Sequence, residues 1–294
     1  MATVADWLEG ARVRTLPASI APVLIGAGIA VAEGGFSWVR TLLAIVVALS
    51  LQIGVNFAND YSDGVRGTDE FRSGPPRLTG GGKASPTLVR NMAFGFFGVA
   101  AVAGLILIAL SGKWWLIAAG VAAVAAAWFY TGGENPYGYL GLGEVFVMIF
   151  FGYMATIGTV YTQTGTAPWE SWVAGTGVGL IACALLMVNN VRDIPTDTKA
   201  GKKTLAVRLG DTNARRVYVA MLTTAIALGA VTALRHPAAA VVLLLAFWVV
   251  QLARQVLGGT NGKELLPVLR NTGILQLSYG IILLIAFCIT PLLS

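Results

Sequence analysis

Long apolar stretches, interrupted by Gly, Pro and short clusters of charge, follow one another along almost the whole chain. Matching the stretches to their punctuation predicts helices over residues 16–32, 41–61, 88–110, 114–130, 142–162, 172–191, 217–234, 238–257 and 271–293. A helix rises about 1.5 Å per residue, so about 20 apolar residues cross a hydrocarbon core about 30 Å thick. Stretches this long and this poor in charge are expected to be membrane crossings. The expected fold is therefore all-α, an integral membrane protein of nine transmembrane helices in one bundle. No separate soluble domain fits between them, so residues 1–294 are expected to form a single transmembrane domain.

Composition agrees: 56% of the residues are hydrophobic and 12% charged, against roughly a quarter charged in an ordinary soluble domain. The net charge of +6 would suit a nucleic-acid binder if it stood alone, so its distribution decides. With the N-terminus inside, only Arg40, Lys113 and Arg235 fall on the outer side, leaving 17 of the 20 basic residues on the other. That is the positive-inside bias of a multi-pass protein, and one missed helix would scramble it. It implies a cytoplasmic N-terminus in the plasma membrane and no nucleic-acid partner. A cleaved signal peptide is not expected. Arg12 and Arg14 do precede a run ending in Ala30-Val31-Ala32, but Pro17 and Pro22 interrupt it and Asp6 and Glu9 dilute its positive end. Cys183 and Cys288 sit inside apolar runs and suggest packing, not a disulfide or a thiolate metal site.

Two cytoplasmic loops, 62–87 and 192–216, are much longer than the rest, and function is expected there. The helix entering the first carries polar residues at Gln52, Asn56, Asn59, Asp60 and Asp63, offsets that share one helical face. The helix entering the second repeats the pattern with Asn190, Asp193 and Asp197. An ionised Asp costs about 2.5–3.5 kcal/mol at the centre of a spanning helix, so such residues lie near an interface, line a cavity or hold a cation. One Asp at a helix end is commonly a cap or the partner of a nearby arginine. Two face-matched clusters on the same membrane side point instead to a cation site. Hard oxygen donors without clustered His or Cys suit Mg²⁺, which readily bridges phosphate oxygens.

Basic residues follow each cluster: Arg66, Arg72, Arg77 and Lys83 after the first, Lys199, Lys202, Lys203 and Arg208 after the second. Part of this is positive-inside bias and attraction to anionic lipid. The remainder, beside Mg²⁺ on carboxylates, is equipment for ionising a diphosphate leaving group. Gly80-Gly81-Gly82 either lets backbone N–H groups approach phosphate or forms a flexible turn; it lacks P-loop spacing. The turn from Tyr130 to Glu144 carries three tyrosines, which by position alone read as interfacial belt residues. Gly-rich stretches at 95–104 and 152–179 permit either close helix packing or room for an isoprenoid chain.

The stretches Trp7-Leu8 through Ala11-Arg12, Arg14-Thr15-Leu16-Pro17-Ala18-Ser19, Asn56 through Gly64, Tyr130-Thr-Gly-Gly, Gly141-Leu-Gly-Glu144 and Asn189 through Asp197 resemble the UbiA superfamily of intramembrane prenyltransferases over nearly the whole chain. Within it the chain is most similar to the menaquinone-pathway branch acting on 1,4-dihydroxy-2-naphthoate. The resemblance implies Mg²⁺-dependent transfer of a polyprenyl group from its diphosphate to that aromatic acid with loss of CO₂. Asp60, Asp63, Asp193 and Asp197 would hold the metal, and Asp69 extends the set at a wider spacing than many relatives show. Asn56, Asn59, Asn190, Arg66, Arg77, Lys83, Lys202 and Lys203 would bind the diphosphate, and the ring of Tyr130 would face the allylic cation. Glu134 stands where relatives are expected to carry a neutral or basic residue. Alternative acceptors within the superfamily are 4-hydroxybenzoate, homogentisate, a tetrapyrrole or a sugar phosphate. A cation or organic-anion transporter would also carry intramembrane acids, but these acids lie at one face and no inverted repeat with broken helices is evident.

Overall fold

The computed structural model describes residues 2–68 and 77–293, and among these there is no strand. After a short helix α1 (Val4–Gly10) come α2 (Pro17–Ala32), α3 (Trp38–Val65), α4 (Pro86–Ser111) and α5 (Leu116–Phe129). The second half contains α6 (Gly143–Thr164), α7 (Trp169–Lys199), α8 (Leu205–Val231), α9 (Pro237–Leu257) and α10 (Leu265–Leu293). Seven of these, α3, α4 and α6 to α10, are long and apolar enough to cross a membrane, while α2 and α5 are shorter apolar helices. All nine predicted apolar stretches are helical.

The largest departure from the expected boundaries follows residue 191. Helix α7 continues to Lys199 although Pro195 lies inside it, and α8 begins at Leu205 with a break at Gly210, whose φ is 73°, so the long loop expected over 192–216 shrinks to 200–204 and that one kink. A proline removes one helical N–H donor. Around it the hydroxyls of Thr196 and Thr198 donate to the carbonyls of Asp193 and Ile194, at 2.9 and 2.7 Å. Similarly α3 runs on to Val65, with Ser37 capping its start. Both helices thus carry their polar residues beyond the apolar stretch while staying helical, which keeps each polar set on one face.

Packing forms two main cores and a small third cluster of Val23, Ala44 and Leu107. One core, built on α2, α7, α8, α9 and α10, includes Ile25, Ile181, Met187, Tyr218, Leu222 and Tyr279. A second, where α3 and α4 meet α1, includes Phe57, Leu78, Val89 and Phe97. Helices in lipid associate by close packing of small residues, and the glycines show where. A methyl group on Gly28 would stand 2.9 Å from Leu284 Cα, one on Gly280 2.9 Å from Ala21 Cα, and one on Gly179 2.9 Å from Gly152 Cα. In the 152–179 stretch Gly152, Gly175, Gly177 and Gly179 therefore serve packing, while Gly158 meets nothing and lines a cavity. In the 95–104 stretch Gly95 and Gly98 meet nothing, and Gly104 borders a cavity.

The three basic residues expected outside all tie helix ends at the pole opposite the acidic clusters. Arg40 donates to the carbonyls of Leu110, Thr162 and Gln163. Lys113 lies over the ring of Tyr161. Arg235 bridges Glu33 and Glu170 at 3.1 and 2.8 Å, and those carboxylates hold its guanidinium pKa above the usual value.

Candidate active site

Between the two cores lies a cavity of about 350 Å³, walled mainly by apolar side chains of α2 to α7. Part of its wall is a π-helical turn, Met148–Met154, inside α6. Such turns widen a helix locally and recur at functional sites; this one presents Phe150, Phe151 and Met154 to the cavity. Tyr137, Phe146 and Phe150 stack along the same wall, with ring centroids 3.9 and 6.2 Å apart. The amide, phenol and guanidinium groups gather at one end, with Arg12, Gln52, Asn56, Asn59, Tyr130 and Asn189, while Thr159 and Thr162 line the other.

At that end the charged residues of α3 and of the α7–α8 loop converge. Asp63, only 3% exposed, pairs with Arg77 at 2.9 Å and with Lys202 at 3.3 Å and accepts a hydrogen bond from the Tyr139 hydroxyl. Arg77 also donates to the carbonyl of Asn59 at 3.0 Å. The Asn59 side chain accepts from Thr131 at 2.7 Å and lines the cavity, so it joins the charged cluster to the apolar chamber. Arg66 donates to the carbonyls of Thr131 and Gly133 and lies 5.5 Å from the Tyr139 ring centroid. Burial first, and then the charge of Asp63, pushes the Tyr139 phenol above its usual pKa, which keeps it a hydrogen-bond donor.

Other expected site residues have different neighbours. Asp60 accepts the backbone N–H groups of Leu78 and Thr79 at 3.0 and 2.8 Å, one on each carboxylate oxygen, and so shapes the turn carrying Arg77. Asn56 donates to the carbonyl of Ala11 at 2.9 Å. Lys83 is drawn away to Asp6 on α1, at 2.5 Å, and that bond holds the Asp6 carboxyl below the usual carboxylate range. Asp193 is held by its own neighbour Arg192 through two bonds of 2.7 and 2.5 Å. Asn190 faces Glu144 behind the cavity wall, while Asn189 takes the position on the cavity. Asp197 is half-buried, and Lys203 and Glu134 are exposed. Asp69 and Arg72 lie outside the described residues.

Three residues at the site were not singled out from the sequence. Arg12 lines the cavity with a backbone φ of 52°, unusual for a residue with a side chain. Asn189 was visible only as the neighbour of Asn190. Tyr139 reads from its position as an interfacial belt residue, and tyrosine spacing carries no signal that places it on Asp63.

The sequence profile of the UbiA prenyltransferase family matches residues 19–267. The chain is 47% identical to the 1,4-dihydroxy-2-naphthoate octaprenyltransferase of Mycobacterium tuberculosis, over 96% of each protein. Among solved structures, the apo form of a UbiA homologue from Aeropyrum pernix K1 shares the fold with a TM-score of 0.69 at 16% identity, covering 92% of this chain and 96% of that one. A UbiA homologue from Archaeoglobus fulgidus, bound to DMAPP and Mg²⁺, superimposes with a TM-score of 0.66 at 15% identity, covering 95% and 99%.

Proposed function

The chain belongs to the UbiA prenyltransferase family, and from that premise we propose that it transfers a polyprenyl group from polyprenyl diphosphate to 1,4-dihydroxy-2-naphthoate, releasing CO₂ and giving the quinol form of demethylmenaquinone, whose separate two-electron oxidation yields the quinone. The observation that carries the chemistry is the junction at Asn59, where an apolar cavity meets a buried cluster of carboxylate, guanidinium and ammonium groups. A polyprenyl diphosphate has that same division, a hydrocarbon tail joined to a polyanion. The acceptor rests on the mycobacterial relative, whose name states that substrate and which matches 96% of this chain. In this reading residues 1–294 are one domain that crosses the plasma membrane nine times, with the N-terminus and the charged cluster on the cytoplasmic side, as the distribution of basic residues supports.

The donor set fits Mg²⁺: carboxylate and amide oxygens surround the cluster, with no thiolate or imidazole nearby. Among the described residues no three His, Cys, Asp or Glu side chains share one ion on their own. An ion shared with the diphosphate would accordingly be held by Asp60 and Asp63 from α3 and by Asp193 and Asp197 from α7, with Asp69 a further candidate. Mg²⁺, when bound there, supplies Lewis-acid withdrawal of charge from the leaving group.

The chain's own groups do the rest. Arg66, Arg77, Lys202 and Lys203 neutralise the departing diphosphate, with Asn56 and Asn59 as polar support, and Asn190 joins them only by leaving Glu144. Lys83 joins them only by leaving Asp6. The allylic C–O bond breaks with its electron pair on the diphosphate, and the ring carbon bearing the carboxylate uses a π pair to form the new C–C bond. The C–CO₂ bond then breaks, returning its pair to the ring. Tyr130 at the polar end of the cavity stabilises the cation by about 1–2 kcal/mol through its ring face. The apolar walls exclude the water that would trap the cation as an alcohol.

Incubating the purified protein with Mg²⁺, a polyprenyl diphosphate and a panel of aromatic acids, followed by mass analysis, tests this. The expected product is a prenylated naphthoquinol lighter by CO₂ than the simple adduct, from 1,4-dihydroxy-2-naphthoate alone. Turnover only with 4-hydroxybenzoate or homogentisate would reassign the acceptor, and no prenylated product with any acid would remove the assignment.

A further inference from the structure

Tyr139 sits on a short 3₁₀ turn, Tyr137–Leu140, between the two halves of the chain, and two distant segments meet on it, the end of α3 and the α7–α8 loop. Its hydroxyl donates to Asp63 at the end of α3 and lies 3.5 Å from the hydroxyl of Thr68. Its ring carries two cations, with Lys202 Nζ 4.5 Å and Arg66 Cζ 5.5 Å from the centroid. Its carbonyl accepts the backbone N–H of Lys203 at 2.8 Å. Directly after it the main chain packs so closely on the α7–α8 loop that a methyl on Gly141 would stand 2.9 Å from the carbonyl oxygen of Lys203. Both cations lie within the distance at which an aromatic face attracts a positive charge.

Lys and Arg are flexible and lose rotamer freedom when they fix on a phosphate. A ring that already holds them near their working positions reduces that cost, which is how pre-organisation raises affinity. Lys202 shares the same Asp63 oxygen that Tyr139 bonds, so one side chain sets both the carboxylate and the cation beside it.

We propose that Tyr139 is the positioning residue of the diphosphate subsite: its ring stores Lys202 and Arg66, and its hydroxyl fixes Asp63, ready for the leaving group. This rests on the prenyl-transfer reading above and adds to it a residue with a defined task. The ring matters for the donor and not for the acceptor.

The test compares Tyr139→Leu, which removes the ring, with Tyr139→Phe, which keeps it, by steady-state kinetics and by calorimetric titration with Mg²⁺ and inorganic pyrophosphate. Tyr139→Leu should raise KM for the polyprenyl diphosphate, and Kd for pyrophosphate, about 5- to 30-fold, with the naphthoate KM unchanged. Tyr139→Phe keeps the ring and loses only the hydroxyl's hold on Asp63, so it should raise the donor KM by about 3-fold, well short of the effect of Tyr139→Leu. Because the ring acts through Lys202, the double variant Tyr139→Leu with Lys202→Ala should bind the donor within about 2-fold of the weaker single variant. Pyrophosphate binding unchanged in Tyr139→Leu would overturn the proposal, as would a parallel rise of both KM values with a lowered Tm, which marks a loop staple only. Failure of the unsubstituted protein to bind pyrophosphate or turn over would instead fault the prenyl-transfer reading itself.

Discussion

Asp60→Asn separates two roles that one carboxylate can have. In the structure each Asp60 oxygen accepts a main-chain N–H, from Leu78 and from Thr79, and the side chain is 2% exposed. Asparagine keeps the shape but offers one acceptor oxygen and one NH₂. Whichever way the amide turns, its NH₂ confronts a backbone donor, leaving that N–H without a partner. A buried donor stripped of its acceptor costs about 1–3 kcal/mol. The cost falls on the turn rather than on the whole bundle, because Leu78 Cδ1 fits against Gly10 of α1, where an added methyl would lie 2.7 Å away, and Arg77 precedes it on Asp63. Hydrogen–deuterium exchange read at single-residue resolution should therefore show protection of the Leu78 and Thr79 amides falling roughly 5- to 150-fold, the equivalent of 1–3 kcal/mol. Amides in α7 and α10 should be unaffected, and prenyl transfer should fail. If turnover is lost while both amides keep their full protection, the carboxylate is needed for its charge alone, and the account of the turn is wrong.

Asp193→Asn should abolish transfer in a folded protein, and the double variant with Asp63→Asn should be little worse than either single one, since groups serving one diphosphate act as a unit; near-normal turnover in Asp193→Asn would return that end of α7 to a plain Arg192-paired helix end. Exhaustive chelation should remove activity and Mg²⁺ restore it, and full turnover in the chelated protein would exclude the metal. Gly280→Val should lower Tm by several degrees at little cost to the donor KM of the surviving folded fraction, because even a methyl there would stand 2.9 Å from Ala21 Cα; an unchanged Tm would show that α2 and α10 can part without penalty.

Helix content and the polar faces of α3 and α7 were legible because apolar length and an i, i+3/i+4, i+7 spacing are one-dimensional signals. The extension of α7 past Pro195 was not. A charged stretch holding a proline reads as loop, and only the packed helix shows that Thr196 and Thr198 hydroxyls cover carbonyls around it. Partner choice was less legible again. Lys83 and Lys202 stand alike in the sequence, each a cation shortly after an acidic cluster, yet one pairs with Asp6 on α1 and the other with Asp63. The choice is made by which chain segments the turn at 78–79 and the 200–204 loop bring near, and that is a tertiary fact. Asn189 and Asn190 differ by one position, which on a helix is about 100° and separates a cavity wall from the packed layer behind it.

The two cations on Asp63 are not equivalent, and the difference gives a last prediction. Arg77 is bonded at 2.9 Å to the carboxylate and at 3.0 Å to the Asn59 carbonyl, so it braces the end of α3 as well as neutralising it. Lys202 reaches the other oxygen at 3.3 Å, shares it with Tyr139, and otherwise rests on an aromatic ring. When a polyanion arrives, the looser contact is the one that can be exchanged at small cost. Arg77→Ala leaves Asp63, almost fully buried, short of its firmest partner; breaking a buried ion pair costs about 3–5 kcal/mol, and the low end applies because Lys202 and Tyr139 stay. Lys202→Ala removes a weaker contact and should cost about 1 kcal/mol or less of stability. The variants should accordingly split, with Arg77→Ala lowering Tm and Lys202→Ala leaving Tm nearly unchanged while raising the donor KM about tenfold. Equal losses of stability in the two would mean that the 3.3 Å contact is as firm as the 2.9 Å one, and Lys202 would then have no freedom to pass from carboxylate to diphosphate.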